Sequence, residues 1–224
     1  MRSLEDLLLA SSWAQGLTSE QLQRVRTTTI VRDFAAEAHV CHVGDPANVW
    51  IGVVDGLVRM VSLSSSGKSV TFAALPGGSW FGEGSVLKRE IRKHSVIAVR
   101  PSRVALMPDA TFFWLLDSSI AFNRFLLVQL NERLGHFISL VEHDRLLEPD
   151  ARVARSLAAM FNPQLYPGTK RQIELSQEEI GHIVGASRQR ISQALHVLEK
   201  AGLIKVDYRM ITVLDLEGLR RFGD

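Results

Sequence analysis

The sequence lacks the residues and runs that would mark several classes of protein. Its single cysteine, Cys41, excludes an internal disulfide and any iron–sulfur cluster held by four thiolates of one chain. No run approaches 18 uncharged apolar residues, and Glu5 and Asp6 interrupt the stretch where a secretory apolar core would lie. We therefore expect no membrane span, no export signal and no membrane partner, and we expect the protein to be cytoplasmic.

Signals for catalysis or metal binding are also scarce. No Ser/His/Asp spacing or pair of carboxylates stands out, so we expect the protein not to be an enzyme. His39, Cys41 and His42 resemble a metal cluster, but alternation along a strand would place His42 on the opposite face from the other two. We expect no metal site, although haem ligation through Cys41 or a histidine stays open.

The balance of charge is nearly even overall but uneven along the chain. The 26 Lys and Arg against 24 Asp and Glu give a net charge of +2. Residues 1–150 carry 15 basic and 16 acidic side chains, a net charge of −1, whereas residues 151–224 carry 11 and 8, a net charge of +3. The positive excess of the C-terminal third has the sign that contacts with nucleic-acid phosphates require.

Residues 176–203, SQEEIGHIVGASRQRISQALHVLEKAGL, have the pattern of two short helices joined at a glycine. Ser176 and Glu179 form a capping box, in which each side chain accepts a hydrogen bond from the other residue's backbone N–H. Gly185 can adopt the left-handed conformation that ends the first helix, and Ser187 can cap the second. In the second helix the expected buried residues are Ile191, Ala194, Leu195 and Leu198.

The opposite face of the second helix carries side chains suited to DNA, because they can donate to phosphates and base edges and none is acidic. After this helix, LIKVDYRMITVL forms two apolar-alternating runs around an Asp-Tyr-Arg turn, which predicts a β-hairpin wing. The expected DNA-facing residues are Arg188, Gln189, Ser192 and Gln193 on the helix and Lys205 and Arg209 on the wing.

Over residues 176–214 these motifs closely resemble the winged helix-turn-helix of the bacterial CRP/FNR regulator superfamily. The resemblance implies a homodimer whose two recognition helices enter successive major grooves of a near-palindromic site, with RNA polymerase as a further partner. It also places Arg188, Gln189 and Gln193 at base-contacting positions. Gln189 replaces the glutamate usual in well-studied members, which favours adenine over cytosine at that base pair. Expected phosphate contacts are Ser176, Arg190, Ser192, Lys205 and Arg209, and Ser187 belongs to the same DNA-binding surface.

From residue 30 to residue 107 the chain consists of short β-branched runs separated by glycine. Gly44, Gly56, Gly67 and Gly78 recur at spacings of 12, 11 and 11, which is typical of strands joined by tight turns and predicts an antiparallel roll. The segments VGDPANVWIGVVDGLVRM and PGGSWFGEGS resemble the β-roll sensor of the same superfamily. The second segment resembles its phosphate-binding cassette.

The resemblance also defines what an effector site would contain. In cAMP-binding members a Gly-Glu pair holds the ribose and a later Arg-Ser dipeptide pairs with the cyclic phosphate, whereas here Gly-Glu at 82–83 is followed by Arg-Lys-His-Ser at 92–95. Those members place Thr-Ser on the dimer helix to hydrogen-bond the base, where this chain has apolar Phe-Ile at 137–138. We therefore expect an anionic or aromatic effector other than cAMP, or no effector. The candidate effector residues are Gly82, Glu83, Gly84, Ser85, Arg92, Lys93, Phe137 and Ile138.

A long helix is predicted for residues 119–145, where apolar residues alternate at spacings of three and four. This seam either packs on the chain's own roll or meets a second copy, and the family resemblance, in which this helix is the dimer interface, favours the second copy. The Glu-Pro-Asp sequence at 148–150 predicts a hinge, with Asp150 able to cap the next helix. The expected interface residues are Leu127, Leu130, Leu134, Phe137 and Val141.

We predict an α+β protein with an N-terminal antiparallel β-roll of cyclic-nucleotide-binding type and its preceding helices (1–110), a long dimerisation helix (111–147) and a C-terminal winged helix-turn-helix (148–224). The predicted function is that of a homodimeric, allosteric transcription regulator that binds double-stranded DNA. The alternative is a cyclic-nucleotide-binding protein whose C-terminal domain contacts proteins, and a cupin-like metal enzyme is disfavoured. The identity of the effector, the operator sequence and the direction of regulation stay open.

Overall fold

The computed structural model describes residues 2–63, 69–167, 169 and 171–223. Contacts divide the chain into two compact units, Met1–Asn131 with Gln164–Gly168, and Glu132–Pro163 with Thr169–Asp224. The first unit therefore includes a short segment that lies, in sequence, between two parts of the second. The three-part division at residues 110 and 147 stays a prediction.

Three short helices open the first unit, and capping boxes fix where two of them begin. The Ser3 hydroxyl accepts from the Asp6 N–H at 3.2 Å and the Thr18 hydroxyl accepts from the Gln21 N–H at 3.2 Å. In return, the Asp6 and Gln21 side chains accept from the backbone N–H of Ser3 and Thr18. The helices are α1 (Leu4–Ala10), α2 (Ser12–Gln15) and α3 (Ser19–Thr28).

Eight strands and one short helix follow, and the antiparallel roll predicted from the glycine spacing is confirmed. Gly44, Gly56 and Gly78 have positive φ at turns, with values of 90°, 94° and 102°, whereas Gly67 lies outside the described residues. The elements are β1 (Ile30–Phe34), β2 (His39–Cys41), β3 (Val49–Asp55), β4 (Leu57–Leu63), β5 (Ser69–Pro76), β6 (Trp80–Phe81), α4 (Glu83–Leu87), β7 (Ser95–Ala98) and β8 (Ser102–Pro108). They form two sheets with strand orders β1-β8-β3-β6 and β2-β7-β4-β5.

Apolar side chains from both sheets fill the interior of the roll, because alternate residues of each strand point to the same face. Leu165 and Tyr166, which belong to the segment 164–168 of the first unit, pack in the same cluster. The cluster's most deeply buried members from the sheets are Ile51, Val53, Val58, Leu75, Phe81, Val96 and Val104.

A second core contains all four tryptophans, of which Trp114 is partly buried. The ring centroids of Trp13 lie 5.3 Å from those of both Trp50 and Trp80, and Trp50 stacks on Trp80 at 4.4 Å. Phe122 contacts the Trp13 and Trp50 rings edge-on at 5.4 and 5.5 Å. Aromatic pairs of this kind contribute about 0.5–1.5 kcal/mol each beyond the area that they bury. The cluster therefore joins the N-terminal helices to the roll and to the helix that carries Phe122.

Two helices follow the roll, α5 (Asp109–Ser118) and α6 (Ile120–Leu146). Pro108 at the end of β8 supplies the extended backbone of the cap of α5, and Asp109 is the first helical residue. The long helix predicted for 119–145 is confirmed as the 27 residues of α6. Among the described residues no single helix is long and apolar enough to cross a membrane, and α5 and α6 meet that criterion only as a pair bent by 109°.

The second unit begins within α6 and continues, over the described residues, with four helices and three strands. The cap prediction for Asp150 is wrong, because Pro149 takes the first helical position, which its fixed φ suits, and Glu148 becomes the cap. The elements are α7 (Pro149–Ala159), β9 (Gln172–Ile173), α8 (Gln177–Val184), α9 (Arg188–Lys200), β10 (Ile204–Asp207), β11 (Met210–Val213) and α10 (Leu216–Arg221). The strands pair antiparallel in the order β10-β11-β9.

Candidate functional site

The first helix of the predicted helix-turn-helix, α8, is fixed at both ends by the residues that the sequence indicated. The Ser176 hydroxyl accepts from the Glu179 N–H at 3.2 Å, and the Glu179 carboxylate accepts from the Ser176 N–H at 2.5 Å. Gly185 ends α8 with φ of 72° and ψ of 33°, the left-handed conformation that favours glycine. Because Ser176 is engaged in its capping box, it contributes to the site first by starting the helix.

The second helix, α9, presents a polar face to solvent, as expected. Ser187 caps it by accepting from the Arg190 N–H at 3.3 Å, and the predicted apolar residues are at most 2% exposed. These buried residues pack the helix on its own unit, so its opposite face must be the outward one. The side chains exposed there are Arg188, Gln189, Ser192 and Gln193.

Arg190 differs from these outward side chains because the unit itself holds its guanidinium. Its Nη2 donates to the Asp150 carboxylate at 2.6 Å, and its Nη1 donates to the Gln193 side-chain oxygen at 3.4 Å. The ion pair joins α9 to the first turn of α7, and both side chains are about one-third exposed. Arg190 therefore links two helices and orients Gln193, in a position where the sequence predicted a phosphate contact.

The predicted wing is a hairpin of β10 and β11, with Tyr208 and Arg209 in its turn. Arg209 has a positive φ of 55° and lies 3.8 Å from the Glu179 carboxylate, and Lys205 lies 3.2 Å from Asp207. Tyr208 is 94% exposed. The two predicted basic side chains thus belong to the wing, each beside an acidic residue that limits its excess charge.

The candidate effector residues of the cassette begin at Gly82, whose φ of 86° lies in the left-handed region. A Cβ added at Gly82 would lie 2.5 Å from the Arg92 Nη1, so both backbone and space require glycine. Glu83 is buried and begins α4, in which Gly84 and Ser85 are half-buried.

Arg92 is turned towards the protein rather than towards solvent. Its guanidinium donates to the backbone carbonyl oxygens of Gly82 (3.3 Å) and Val49, and the residue is 5% exposed. Burial lowers the pKa of Arg92, whereas the nearby Cys41, Asp45 and Glu83 oppose that shift. The guanidinium therefore fastens the cassette to β3.

The other candidate effector residues, Lys93, Phe137 and Ile138, are exposed. Lys93 is exposed and pairs with Glu90 at 3.3 Å. Phe137 and Ile138 lie on α6 in the second unit, exposed to 41% and 60%. The first unit alone therefore brings together Gly82, Glu83, Gly84, Ser85 and Arg92.

One face of α6 is apolar and exposed. The five residues of the predicted seam are 37–68% exposed and recur at spacings of three and four residues. An apolar stripe of this length in contact with water is unfavourable and marks an interaction surface. Its residues are Leu127, Leu130, Leu134, Phe137 and Val141.

The prediction that His42 faces away from His39 is wrong. The two rings stack with centroids 4.1 Å apart, because the register of β2 shifts between His39 and Cys41 and breaks the alternation. Burial raises the pKa of the Cys41 thiol. Among the described residues no group of three or more His, Cys, Asp or Glu side chains is placed to hold a metal ion.

Two site features were missed from the sequence. Tyr208 stands in the predicted Asp-Tyr-Arg turn, so its exposure at the wing tip could have been inferred from the hairpin. The Asp150–Arg190 pair left no such signal, because 40 residues separate the partners and only the packing of α7 on α9 brings them together.

Comparison with known protein families agrees with both units. A cyclic nucleotide-binding domain model matches residues 31–119, and a Crp-like helix-turn-helix domain model matches residues 151–222. The chain belongs to the CRP/FNR superfamily of transcription regulators. As a CRP/FNR regulator it is a DNA-binding protein with a domain of the cyclic-nucleotide-binding type, and the predicted α+β fold is confirmed.

Relatives of this CRP/FNR regulator share about a quarter of its residues. It is 25% identical over 187 residues to the cAMP-activated global transcriptional regulator CRP of Pasteurella multocida, a match that covers 82% of this chain and 89% of that protein. It is 27% identical over 194 residues to the transcriptional regulator LdrP of Thermus thermophilus, covering 85% and 95%. These relatives are transcription regulators rather than enzymes.

Solved structures support the fold. FixK2 from Bradyrhizobium japonicum matches with a TM-score of 0.73 and 20% identity, covering 88% of this chain and 98% of that one. The Thermus thermophilus catabolite activator protein matches with a TM-score of 0.52 and 23% identity, covering 94% and 98%.

Proposed function

We propose that this CRP/FNR regulator binds a near-palindromic DNA site as a homodimer, with α9 of each protomer in the major groove. The observation that carries the proposal is the outward face of α9, where Arg188, Gln189 and Gln193 are exposed and no acidic side chain intervenes. Arginine and glutamine form bidentate hydrogen bonds with guanine and adenine edges. Ser187, Ser192, Lys205 and Arg209 supply contacts to the backbone, and Ser176 contributes through α8.

The second copy binds along α6. The exposed stripe of five apolar residues defined above has the spacing of a coiled-coil seam, and a parallel copy would cover it by the same residues across a two-fold axis. Two protomers related in this way present two recognition helices to successive grooves about 34 Å apart. The dimer acts in the cytoplasm, where it meets promoter DNA and RNA polymerase.

The β-roll receives an effector other than cAMP. The guanidinium of Arg92 is already bound to two backbone carbonyl oxygens, and Lys93 is paired with Glu90. Phe137 and Ile138 have no side-chain group to hydrogen-bond a base. These departures favour an anionic or aromatic small molecule other than cAMP, or no effector, even though the CRP of Pasteurella multocida is cAMP-activated. Effector binding would alter α6 and, through the hinge at 148–150, the separation of the recognition helices.

Selection of binding sites from random DNA tests the proposal through Gln189→Glu. Glutamine pairs with adenine N6 and N7, whereas glutamate accepts from cytosine N4, so the variant should exchange one base pair in each half-site. We expect each form to prefer its own site by about 1–3 kcal/mol, measured by fluorescence anisotropy.

Gln23→Glu is the matched control, because it makes the same charge change on an exposed residue of α3 in the first unit. It should select the unaltered half-site. Identical half-sites for Gln189→Glu and the parent protein would contradict the assignment of Gln189, and the absence of any selected sequence would contradict the proposed function.

A further inference from the structure

The contact between Asp150 and Arg190 extends to a side chain on the outward face of α9. The Arg190 guanidinium donates from Nη2 to the Asp150 carboxylate at 2.6 Å and from Nη1 to the Gln193 side-chain oxygen at 3.4 Å. All three residues belong to the second unit. A carboxylate in the first turn of α7 is thus joined, through one arginine, to the exposed Gln193.

The start of α7 leaves the Asp150 carboxylate available for this contact. Pro149 takes the first helical positions with Asp150, Glu148 is the cap, and no side chain caps the helix by a hydrogen bond. In the first turn of a helix the dipole favours a negative charge, so Asp150 is well placed to stay ionised. Its carboxylate therefore accepts from Arg190 rather than from the backbone of its own helix.

The donors and acceptors of the three groups determine which way the Gln193 amide faces. An ionised carboxylate only accepts and a guanidinium only donates, so Arg190 presents only N–H groups to Gln193. The amide oxygen must face Arg190, because the amide nitrogen would bring donors together. At 3.4 Å this hydrogen bond is long, but the positive charge of the guanidinium favours the same orientation. The Gln193 nitrogen, with its two donors, is therefore left for DNA.

Gln189, the second glutamine on this face of α9, is not held in this way. Over the part of the chain that the structure describes, its exposed side chain forms no hydrogen bond, so its amide can turn freely. A free amide can match adenine, which offers a donor at N6 and an acceptor at N7. Guanine offers two acceptors, O6 and N7, and these suit an amide that presents only its nitrogen.

We propose that Asp150 is a positioning residue for base recognition, which through Arg190 holds the Gln193 amide with its nitrogen outward, so that Gln193 favours guanine over adenine. This rests on the proposed binding of DNA through α9 and names the base that one of its side chains selects. Asp150 thus contributes to sequence specificity without contacting a base. The two glutamines of α9 consequently read different bases although their side chains are identical.

The base preference at the position that Gln193 reads tests the inference in the full-length protein. That position is the base pair of the selected site at which Gln193→Ala removes the preference of the parent protein. In fluorescence anisotropy the parent should bind the guanine site more tightly than the adenine site. Asp150→Ala should lower this ratio of affinities about 3- to 10-fold, the net contribution of one hydrogen bond, because the freed amide can then turn to adenine.

Glu148→Ala is the matched control, because it removes an exposed carboxylate two residues away that forms no capping hydrogen bond. Both variants make the same change in charge, which alters the affinity for every DNA sequence but not the ratio. Glu148→Ala should therefore keep the ratio of the parent. Asp150→Ala should leave the preference at the Gln189 base pair unchanged, and in a Gln193→Ala background it should not alter the guanine-to-adenine ratio. A purely structural role of Asp150 would not produce this dependence on Gln193.

If Asp150→Ala does not fold, Arg190→Ala breaks the same contact from the other side and should lower the ratio equally. A parent protein that prefers adenine, a ratio that neither variant changes, or a Gln193→Ala protein that loses no preference at any base pair would overturn the inference. Each of these results leaves a selected site and so leaves the proposed function intact. The absence of any selected sequence would overturn the proposed function and the inference together.

Discussion

Gly82 in the cassette and Arg92 constrain each other. Arg92 donates to the Gly82 carbonyl oxygen, and the same guanidinium fills the space in which a Cβ on Gly82 would lie. An arginine buried in this way stabilises the loop through its hydrogen bonds, since an ionised group without them would be costly inside the protein. The cassette conformation therefore depends on the absence of a side chain at residue 82.

We expect Gly82→Ala to lower the free energy of unfolding by at least about 1–2 kcal/mol, measured by urea denaturation. A non-glycine residue in the left-handed region costs that amount before the contact with Arg92 is counted. Gly84→Ala is the control, because Gly84 lies in α4 with no atom within 4 Å of an added Cβ. It should be neutral or stabilising by up to about 1 kcal/mol, and equal losses for the two variants would contradict this account.

Arg190 provides a second prediction for a single side chain. Its pair with Asp150 should give a coupling free energy of about 0.2–1 kcal/mol in a double-mutant cycle of Arg190→Ala and Asp150→Ala, since both side chains are about one-third exposed. Arg190→Ala should also reduce the salt dependence of DNA binding less than Arg188→Ala does, because Asp150 already balances the charge of Arg190. If the coupling free energy is zero and Arg190→Ala lowers the salt slope by a full unit, Arg190 contacts a phosphate instead of being balanced by Asp150.

At the scale of elements, α6 carries the sharpest prediction. Leu134→Glu should raise the dimer dissociation constant at least about 100-fold in sedimentation velocity, because the substitution brings two like charges together in an apolar seam. Leu9→Glu is matched to it, since Leu9 on α1 is 64% exposed against 59% for Leu134. If both variants stay dimeric, the seam is not the interface.

Elements whose signals are local could be predicted from the sequence. The capping box at Ser176 and Glu179, the left-handed Gly185 and the buried face of α9 depend on residues within one or two turns, and each is confirmed. The cap of α7 was misassigned by two residues, because Pro149 beside the capping candidate Asp150 takes the first helical position and makes Glu148 the extended residue.

Long-range features of the site could not be predicted in the same way. The docking of Arg92 on two carbonyl oxygens and the burial of Leu165 and Tyr166 depend on contacts between residues that are far apart in sequence. Neither local propensity nor hydrophobic period contains that information. The prediction that His39 and His42 face opposite ways was wrong for a related reason, since a register shift in β2 overrides the period of two on which it relied.

For the whole molecule, the uneven charge and the proposed symmetry act together. The C-terminal residues 151–224 carry the net charge of +3 and the rest of the chain carries −1, so attraction to DNA is concentrated in the helix-turn-helix region. A dimer doubles that attraction only when both recognition helices reach their half-sites. Specific affinity should therefore depend on the geometry of the site as well as on its sequence.

Insertion of about five base pairs at the centre of the selected site should abolish the affinity gained when both recognition helices bind their half-sites. Half a helical turn places the two half-sites on opposite faces of the duplex, so a single protomer remains bound and affinity falls towards the non-specific level, by about 10³-fold or more. DNA of the same length as the selected site, with both half-site sequences scrambled, is the control for non-specific binding. Equal affinity for the parent and expanded sites would contradict simultaneous binding by two protomers.

The aromatic core of the first unit has a further, optical consequence. All four tryptophans, Trp13, Trp50, Trp80 and Trp114, lie within residues 1–131, and the stacked Trp50 and Trp80 rings are close enough for their excited states to couple. Indole fluorescence and the circular-dichroism couplet of that pair thus arise from the first unit alone. A change in either signal during titration with DNA or with an effector can then be assigned to the first unit without attaching a dye.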